Sequence, residues 1–491
     1  MIDDYINERL KKLHKIKELG INPYPQIVIK DKKSSAQLLE KYAKVSEEKS
    51  KNAEEYAGRI MSFRSMGNIA FANLQDEFGT IQAVFQKKEV KNYELLKLLD
   101  LGDLIVVKGN FFKTQKGQIS INATSLTLAA KSIRPLPEKF HGLKDEEEIF
   151  RKRYLEAIMN PEVLEKFRKK SMIIKSIREF LGNKGFLEVF TPVLQATYGG
   201  ASAEPFITHH NALNTDFYLR IATELYLKRL IVAGYDKIFE LGTRFRNEGM
   251  DKSHLQEMLD LEFYWAYQDY EGLMKFTEEF ISHILMKANG SLKITYQGQV
   301  LDFTPPYKRI TFRQLLLDNT GIDIDLFKDV DLLRKEIMKR KIKDVDYKSP
   351  KHYGALLDEL YKRTARQKII QPTFMTDYPV EMIPLAKRKD SDPSKISSFQ
   401  LLVNTWELIK AYNELNDPVD QRRRLIEQQE FLKLGDKEAH PLDEDFLQAL
   451  EYAMPPVAGW GIGLERFCMM VMDEPNIKGA QFFPLMKPVI D

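Results

Sequence analysis

The run Gly459-Trp460-Gly461-Ile462-Gly463-Leu464-Glu465-Arg466 constrains this chain more than any other stretch. Its glycines let a backbone come close to a ligand. The Arg466 guanidinium that follows, on an apolar segment, is a planar and permanently charged fork suited to phosphate. Taken alone, the run equally suits a bend before a buried helix. Two further elements lie far upstream. Phe245-Arg246-Asn247-Glu248 carries a second arginine with a carboxylate two residues on, and Gly185-Phe186-Leu187-Glu188-Val189-Phe190-Thr191-Pro192 is an apolar segment closed by proline.

Length and composition set the frame. A chain of 491 residues has room for roughly three domains. Hydrophobic residues make up 43% of it, enough for a large core, and 30% are charged. The net charge of +3 does not mark a nucleic-acid binder, although a basic patch can exist locally. The lone cysteine, Cys468 in Phe467-Cys468-Met469-Met470-Val471, excludes an internal disulfide and reads as a buried apolar filler. The N-terminus has acids at Asp3 and Asp4 and no signal-peptide core, and no apolar run reaches the roughly 18 residues that span a membrane. The cytoplasm is the expected compartment.

Residues 1–55 read as a helical extension, helical to about residue 45 with Leu10, Leu13 and Ile16 on one face, and then a charged linker from Lys44 to Glu55. The helix suits docking on the body with a basic outer face, or a nucleic-acid contact. Residues 56–133 change to short strands, such as 70–74, 80–85, 104–109 and 119–121, punctuated by Gly79, Gly102, Gly109 and Gly117. Strands of that length and spacing predict a small OB-fold barrel. Phe71 is a candidate stacking platform or a core residue. Residues 134–147, opening on Arg134-Pro135-Leu136-Pro137, form a stiff linker. Residues 148–491 mix helices (161–181) with strands (217–221 and 237–241), and a helical insertion is expected at about 314–370.

The three elements, in that order and at those spacings, resemble the signature motifs of class II aminoacyl-tRNA synthetases. Longer words narrow the likeness. Phe206-Ile207-Thr208-His209-His210-Asn211-Ala212-Leu213, the stretch from Tyr218 to Leu230, the stretch from Arg134 to Leu143, Thr376-Asp377-Tyr378-Pro379-Val380-Glu381 and the stretch from Ala411 to Pro418 look like class II lysyl-tRNA synthetases. The resemblance covers nearly the whole chain. It implies an α+β multidomain fold: an N-terminal OB-fold β-barrel that reads the anticodon, and a catalytic domain on an antiparallel sheet flanked by helices, working as a homodimer. The implied activity is the joining of L-lysine to tRNA(Lys) through lysyl-adenylate, with ATP as co-substrate and Mg2+ as the metal. Such chemistry rests on positioning and charge stabilisation more than on a nucleophilic side chain.

Residue by residue, the resemblance gives Arg246 the α-phosphate and the substrate carboxylate, Arg466 the γ-phosphate, and Glu248, His254 and Met258 the ATP loop. Glu262 and Glu414, with Tyr264, would grip the lysine side-chain amine, and Glu224 the α-amine; Gly200 and Lys410 belong to the same pocket. A buried ammonium needs anionic partners of this kind. Gln400 and Glu407 hold the metal positions, and Arg64, Phe71 and Gln82 would read the anticodon. The chain also departs from the family pattern. Ser253 stands where a γ-phosphate arginine is usual, Met258 where an aromatic stacks on adenine, Gln400 where a metal-binding glutamate is usual, and Lys410 where asparagine is usual. One acid is lost and one base gained, so the Lys410 ammonium is expected to substitute in part for magnesium. Gln118 replaces a common glutamate in the barrel, Glu204 an arginine and Thr223 a proline. These departures leave a second reading, a catalytically impaired tRNA-binding or regulatory paralogue.

Overall fold

The computed structural model describes residues 2–137, 145–433, 435 and 439–489. Glu138 to Leu143, part of one family-like word and of the expected linker, lie outside the described residues. The chain divides into two compact units, Met1–Glu165 and Lys166–Asp491.

In the first unit five strands close into a barrel: β1 (Ala53–Met66), β2 (Ile69–Gln75), β3 (Thr80–Gln86), β4 (Leu104–Lys113) and β5 (Ile119–Ala130), in the order β1-β2-β3-β5-β4 with β4 returning to β1. All neighbours are antiparallel except β3 and β5. Alternation decides what is inside. In β2, Ala70, Ala72 and Leu74 are buried, and Phe71 and Asn73 face outward. Phe71 is therefore on the outer face and not in the core. β1 starts at Ala53, inside the segment read as a linker.

The N-terminal segment is two helices, Ile2–Glu18 and Ser35–Lys41, rather than one helical run. Its buried face also differs from the expected one. Ile16 is buried, but Leu10 is exposed and Arg9 is buried in its place. The Arg9 guanidinium donates to the carbonyls of Leu101, Ser132 and Arg134, so a cation caps carbonyl groups where an apolar stripe was expected.

The second unit is built on an eight-stranded sheet. In chain order its strands are β6 (Leu187–Glu188), β10 (Lys237–Phe245), β11 (Glu257–Ala266), β14 (Lys308–Thr311), β15 (Thr373–Thr376), β16 (Ser398–Val403), β17 (Trp406–Asn413) and β18 (Val457–Gly463). The sequence between them also forms β7 (Leu194–Gln195), β8 (Ile207–His210) and β9 (Thr215–Leu219) in a small sheet, and the hairpin β12 (Lys293–Tyr296) and β13 (Gln299–Asp302). The large sheet runs β14-β15-β16-β17-β18-β11-β10-β6. Its centre is antiparallel, while the outermost pairs, β14 with β15 and β10 with β6, are parallel. Helices Phe312–Thr320, Val330–Lys339 and Tyr353–Leu360 occupy the stretch read as a helical insertion.

Period-two alternation splits β18 between two environments. Trp460 and Ile462 enter the core against helix Tyr270–Asn289, where Trp460 stacks on Phe263 with ring centres 4.8 Å apart and donates from Nε1 to Thr277 Oγ1 at 2.9 Å. A stacked pair of this kind adds about 0.5–1.5 kcal/mol beyond its burial. Gly459, Gly461 and Gly463 face the other way and floor a cavity.

Candidate active site

The cavity, of about 640 Å³, opens over the sheet, and every residue of the second unit that the sequence assigned to a substrate or metal lines it: Gly200, Glu224, Arg246, Glu248, His254, Met258, Glu262, Tyr264, Gln400, Glu407, Lys410, Glu414 and Arg466; the departures Glu204 and Thr223 do not. Steric demand on the glycine floor is strongest at Gly459 and absent at Gly463, where a Cβ would only touch Asp260 at 3.5 Å. A Cβ on Gly459 would stand 2.0 Å from Glu414 Oε1 and 2.8 Å from Tyr264 Cε1, and one on Gly461 3.3 Å from Glu262 Cγ. Gly200 adopts φ +85°, and a Cβ there would meet Glu224 Cβ at 2.9 Å.

A bulge makes one part of the lining possible. Strand period places Glu407 and Lys410 on opposite faces. The register shift between Leu401 and Leu402 lets both face the cavity, with Lys410 opposite Gln400 on one side and Gly461 on the other. The β16–β17 hairpin turns through Asn404 and Thr405, both at positive φ, as two-residue hairpins require.

One end of the cavity is acidic and tightly wired. Glu224, first residue of helix Glu224–Val232, accepts from Lys228 Nζ at 2.6 Å and from the Tyr412 hydroxyl at 2.9 Å. The same Nζ lies 2.5 Å from Glu414 Oε2, but without hydrogen-bond alignment: neither Glu414 oxygen has an aligned donor among the described residues. Burial pushes Glu414 well above the usual carboxylate range; Lys228 opposes this, and Glu224 and Glu262 reinforce it. Glu262 accepts from Thr223 Oγ1 at 2.6 Å and lies 3.3 Å from the Arg244 guanidinium, and burial raises it too, against Arg244. Arg244 also pairs with Asp260 at 2.5 Å and donates to Thr223 Oγ1 at 2.9 Å. Thr223 thus bridges the guanidinium and Glu262. Burial and the surrounding carboxylates hold Tyr264 far above its ordinary range, so it stays a neutral phenol. Burial lowers His440 to about 4, so it adds no positive charge to this end at neutral pH.

The other end is basic. Arg246 continues β10, its backbone N–H bonded to Gln256 O at 2.9 Å. Arg466 lies with its Cζ 5.6 Å from the Trp406 ring centre and donates to Glu407 O at 3.3 Å. Arg366, which the sequence reading did not single out, lines the same space. Burial pushes Arg466 below its usual value; the Glu407 and Asp260 carboxylates oppose this, and repulsion from Arg246 and Arg366 adds to it. Two of the positions that the sequence resemblance assigned to an ATP loop, Ser253 and His254, gather on Asp251. Its Oδ1 accepts from the Ser253 and His254 backbone N–H groups at 2.6 and 2.8 Å, and its Oδ2 meets His254 Nδ1 at 2.8 Å. Burial opposes the Asp251 charge, but the bonds from Ser253 and His254 outweigh it and hold Asp251 at about 2. Met258 lies on the cavity wall, half-buried against the core.

Gln400 is buried, and its Oε1 lies 3.5 Å from the Tyr361 hydroxyl. Among the described residues no group of three metal-binding acids, histidines or cysteines occurs. Glu407 and the Gln400 amide oxygen, both on the cavity lining, are hard oxygen donors of the kind that suits magnesium.

In the barrel, Arg64 pairs with Phe71 across β1 and β2, and Asn73 pairs with Gln82 across β2 and β3, so the register sets the three anticodon candidates on one face, with Arg64 exposed, Phe71 half-buried and Gln82 buried. Gln82 Oε1 accepts from Ser120 Oγ at 3.0 Å. Gln118 is exposed beyond them.

Lys228, Arg244, Asp260 and Tyr412 were not foreseen. Lys228 stands one helical turn after Glu224, and Asp260 two strand residues before Glu262, so these two carried a legible signal. Tyr412, two strand residues after Lys410 and two before Glu414, carried the same signal, and Arg244 joins the network through tertiary pairing.

Residues 145–487 match the family described as tRNA synthetases class II (D, K and N), and residues 56–129 match the OB-fold nucleic acid binding domain. Curated relatives include the lysine–tRNA ligase of Thermoanaerobacter sp. (strain X514), 45% identical over 492 residues covering 100% of this chain and 97% of that protein. Those of Fervidobacterium nodosum (44%, 99% and 95%) and Thermotoga maritima (42%, 99% and 97%) are similar over the same extent.

Proposed function

The chain belongs to the class II tRNA synthetases, in the lysine–tRNA ligase family, and on that premise we propose that it activates L-lysine with ATP and transfers it to tRNA(Lys). The observation that carries the substrate choice is the acidic end: four carboxylates (Glu224, Asp260, Glu262, Glu414) against three cations, the paired Lys228 and Arg244 and also Lys410, whose Nζ lies 6.0 Å from the Tyr412 ring centre. An excess of buried negative charge suits a substrate with two ammonium groups. An aspartate side chain would meet repulsion there.

In the first step the lysine carboxylate attacks the α-phosphorus of ATP, the α–β phosphoanhydride breaks, and pyrophosphate leaves with its electron pair. Arg246 serves the α-phosphate and the lysine carboxylate, and Arg466 the γ-phosphate. Their guanidiniums take up charge that develops in the transition state. Glu248 and His254 order the ATP loop, and Met258 packs on the purine. Glu414, Glu262 and Tyr264 take the side-chain ammonium and Glu224 the α-ammonium, with Gly200 leaving room beside Glu224. Glu407 and Gln400 would hold one magnesium ion, which supplies further charge neutralisation on the phosphates. Lys410, in the same strand row as Gln400, replaces part of that positive charge. In the second step a ribose hydroxyl of the tRNA 3′ end attacks the adenylate carbonyl and AMP leaves.

Arg64, Phe71 and Gln82 read the anticodon, with Phe71 stacking on a base. Exposed apolar residues around the first motif, Leu187, Phe190, Val193 and Leu194, support a homodimer face. The cytoplasm, where tRNA charging serves translation, is the compartment of this reading; no helix among the described residues is long and apolar enough to cross a membrane. A binding-only paralogue is disfavoured, because it would have no use for a complete acidic pocket.

Amino-acid-dependent ATP–pyrophosphate exchange tests the reading. Exchange with lysine and not with aspartate or asparagine, followed by charging of tRNA(Lys), is expected. No exchange with any amino acid, in folded protein that binds tRNA, would establish the paralogue. A magnesium titration tests Lys410: Lys410→Asn is expected to steepen the metal requirement.

A further inference from the structure

We propose that Arg366 is a third triphosphate-binding guanidinium of this site, supplied from the helical segment before β15 and acting where the ATP loop presents Ser253 instead of a cation. The proposal rests on the ATP-dependent reading above.

The local backbone is unusual. Helix Tyr353–Leu360 runs into a π-helical turn, Tyr361–Ala365, and then a 3₁₀ turn, Arg366–Lys368. Such π turns redirect a chain and occur often at functional sites. This one buries Tyr361 with its hydroxyl toward Gln400 and delivers Arg366 to the cavity wall. The charge pairing of the segment singles Arg366 out. Lys362 holds Asp358 at 2.6 Å and Arg363 holds Glu359 at 3.1 Å, each four residues back along the turn. Four residues before Arg366 stands Lys362, another cation. Among the described residues Arg366 has no carboxylate within ion-pair distance, and its Nε is buried without a hydrogen-bond partner.

Arg246 shares both properties, a buried Nε without a partner and no carboxylate at ion-pair distance. Three guanidiniums, two of which repel the third, Arg466, thus border one volume, together with Glu407. Such a cluster is stabilised by an anion with several charges and many oxygens, and a triphosphate fits the guanidinium fork. Gln400 completes the logic. A glutamate there would offer Arg366 a competing carboxylate across Tyr361, whereas the neutral amide leaves the guanidinium available for phosphate.

The test is equilibrium binding of ATP, inorganic tripolyphosphate, adenosine and lysine to the full chain by calorimetry, comparing wild type with Arg366→Gln. Affinity for ATP and tripolyphosphate is expected to fall about tenfold or more, with adenosine and lysine unchanged. Pyrophosphate exchange should show the same split, with KM for ATP raised and KM for lysine unmoved. A folded Arg366→Gln protein with wild-type affinity for tripolyphosphate overturns the proposal and leaves the ligase reading intact. Wild-type protein that binds neither ATP nor lysine overturns both. A second measurement needs no variant: tripolyphosphate, but not lysine, should protect Arg366 from phenylglyoxal, read by peptide mass, and modification at the same rate with and without it overturns the proposal.

Discussion

The two ends of the cavity handle charge in opposite ways. At the Glu224–Glu414 end, Lys228 and Arg244 are locked to carboxylates, and the acids outnumber them. At the other end, Arg246, Arg366 and Arg466 have no carboxylate within ion-pair distance among the described residues, and Glu407 offers Arg466 a backbone carbonyl. Both ends contain acids and bases, so the counts alone do not say which charges are free to meet a ligand. Pairing does. Where the resident cations are spoken for, surplus negative charge awaits a cation; where guanidiniums face each other, an anion is awaited. A molecule with ammonium groups at one end and a carboxylate beside a triphosphate at the other satisfies both.

The largest expected effect breaks the wiring of the acidic end. Lys228→Met fills the space of the aliphatic stem but leaves Glu224 and Glu414 buried without their cation. Losing one member of such a buried network costs about 3–5 kcal/mol. Chemical denaturation at neutral pH should show that loss, and the deficit should shrink as pH falls and the carboxylates take up protons. An unchanged midpoint would mean that Lys228 does not carry the pocket's charge balance.

Next is the basic end. Arg246→Ala removes the group assigned to the α-phosphate and the substrate carboxylate together. Its kcat for pyrophosphate exchange should drop ~10²–10³-fold, about 3–4 kcal/mol, with the fold intact. A drop confined to KM for ATP would move Arg246 from the transition state to ground-state binding.

How much of this contrast is readable from the chain depends on the range of the signal. The glycine run, the two arginines and the barrel strands are local words, and their elements stand where they were expected. Lys228 is one helical turn from Glu224, and Asp260 and Glu262 share a strand face, so simple periodicity exposes them once the pocket is suspected. The bulge at Leu401 and Leu402 has no local marker, yet it alone allows Glu407 and Lys410 to face one cavity. Arg366 reaches the site through a π turn, which breaks helical period, and Arg9 is buried by carbonyl groups from residues 101–134. Contacts of that range are set by tertiary packing and leave no periodic trace in sequence.

A pH series sharpens the comparison. Glu414 is held well above the usual carboxylate range, and a bound ammonium favours its charged form. Lysine binding therefore releases a proton, and lysine affinity should rise with pH across the Glu414 titration, by at most about tenfold per pH unit. ATP affinity measured over the same range should not follow it. Glu414→Gln should bind lysine weakly and without that slope; a slope that survives would assign the titration to another group, with Glu262 the first candidate since burial raises it as well.

The smallest effect concerns the aromatic rings that accompany each end. The Lys228 Nζ lies 6.0 Å from the Tyr412 ring centre, but its strength comes from two carboxylates, so the ring adds little there. Arg466 has no such partner, and the Trp406 face 5.6 Å from its Cζ is a larger share of what holds it. A cation–π contact of this kind contributes about 0.5–2 kcal/mol. Trp406→Leu keeps an apolar side chain against the core and removes the ring. It should raise KM for ATP about three- to tenfold and leave KM for lysine unchanged, because the lost contact orients a guanidinium at the phosphate end only. If both constants moved together, the hairpin that carries Trp406 and Glu407 would be coupling the two ends, and their independence would fail.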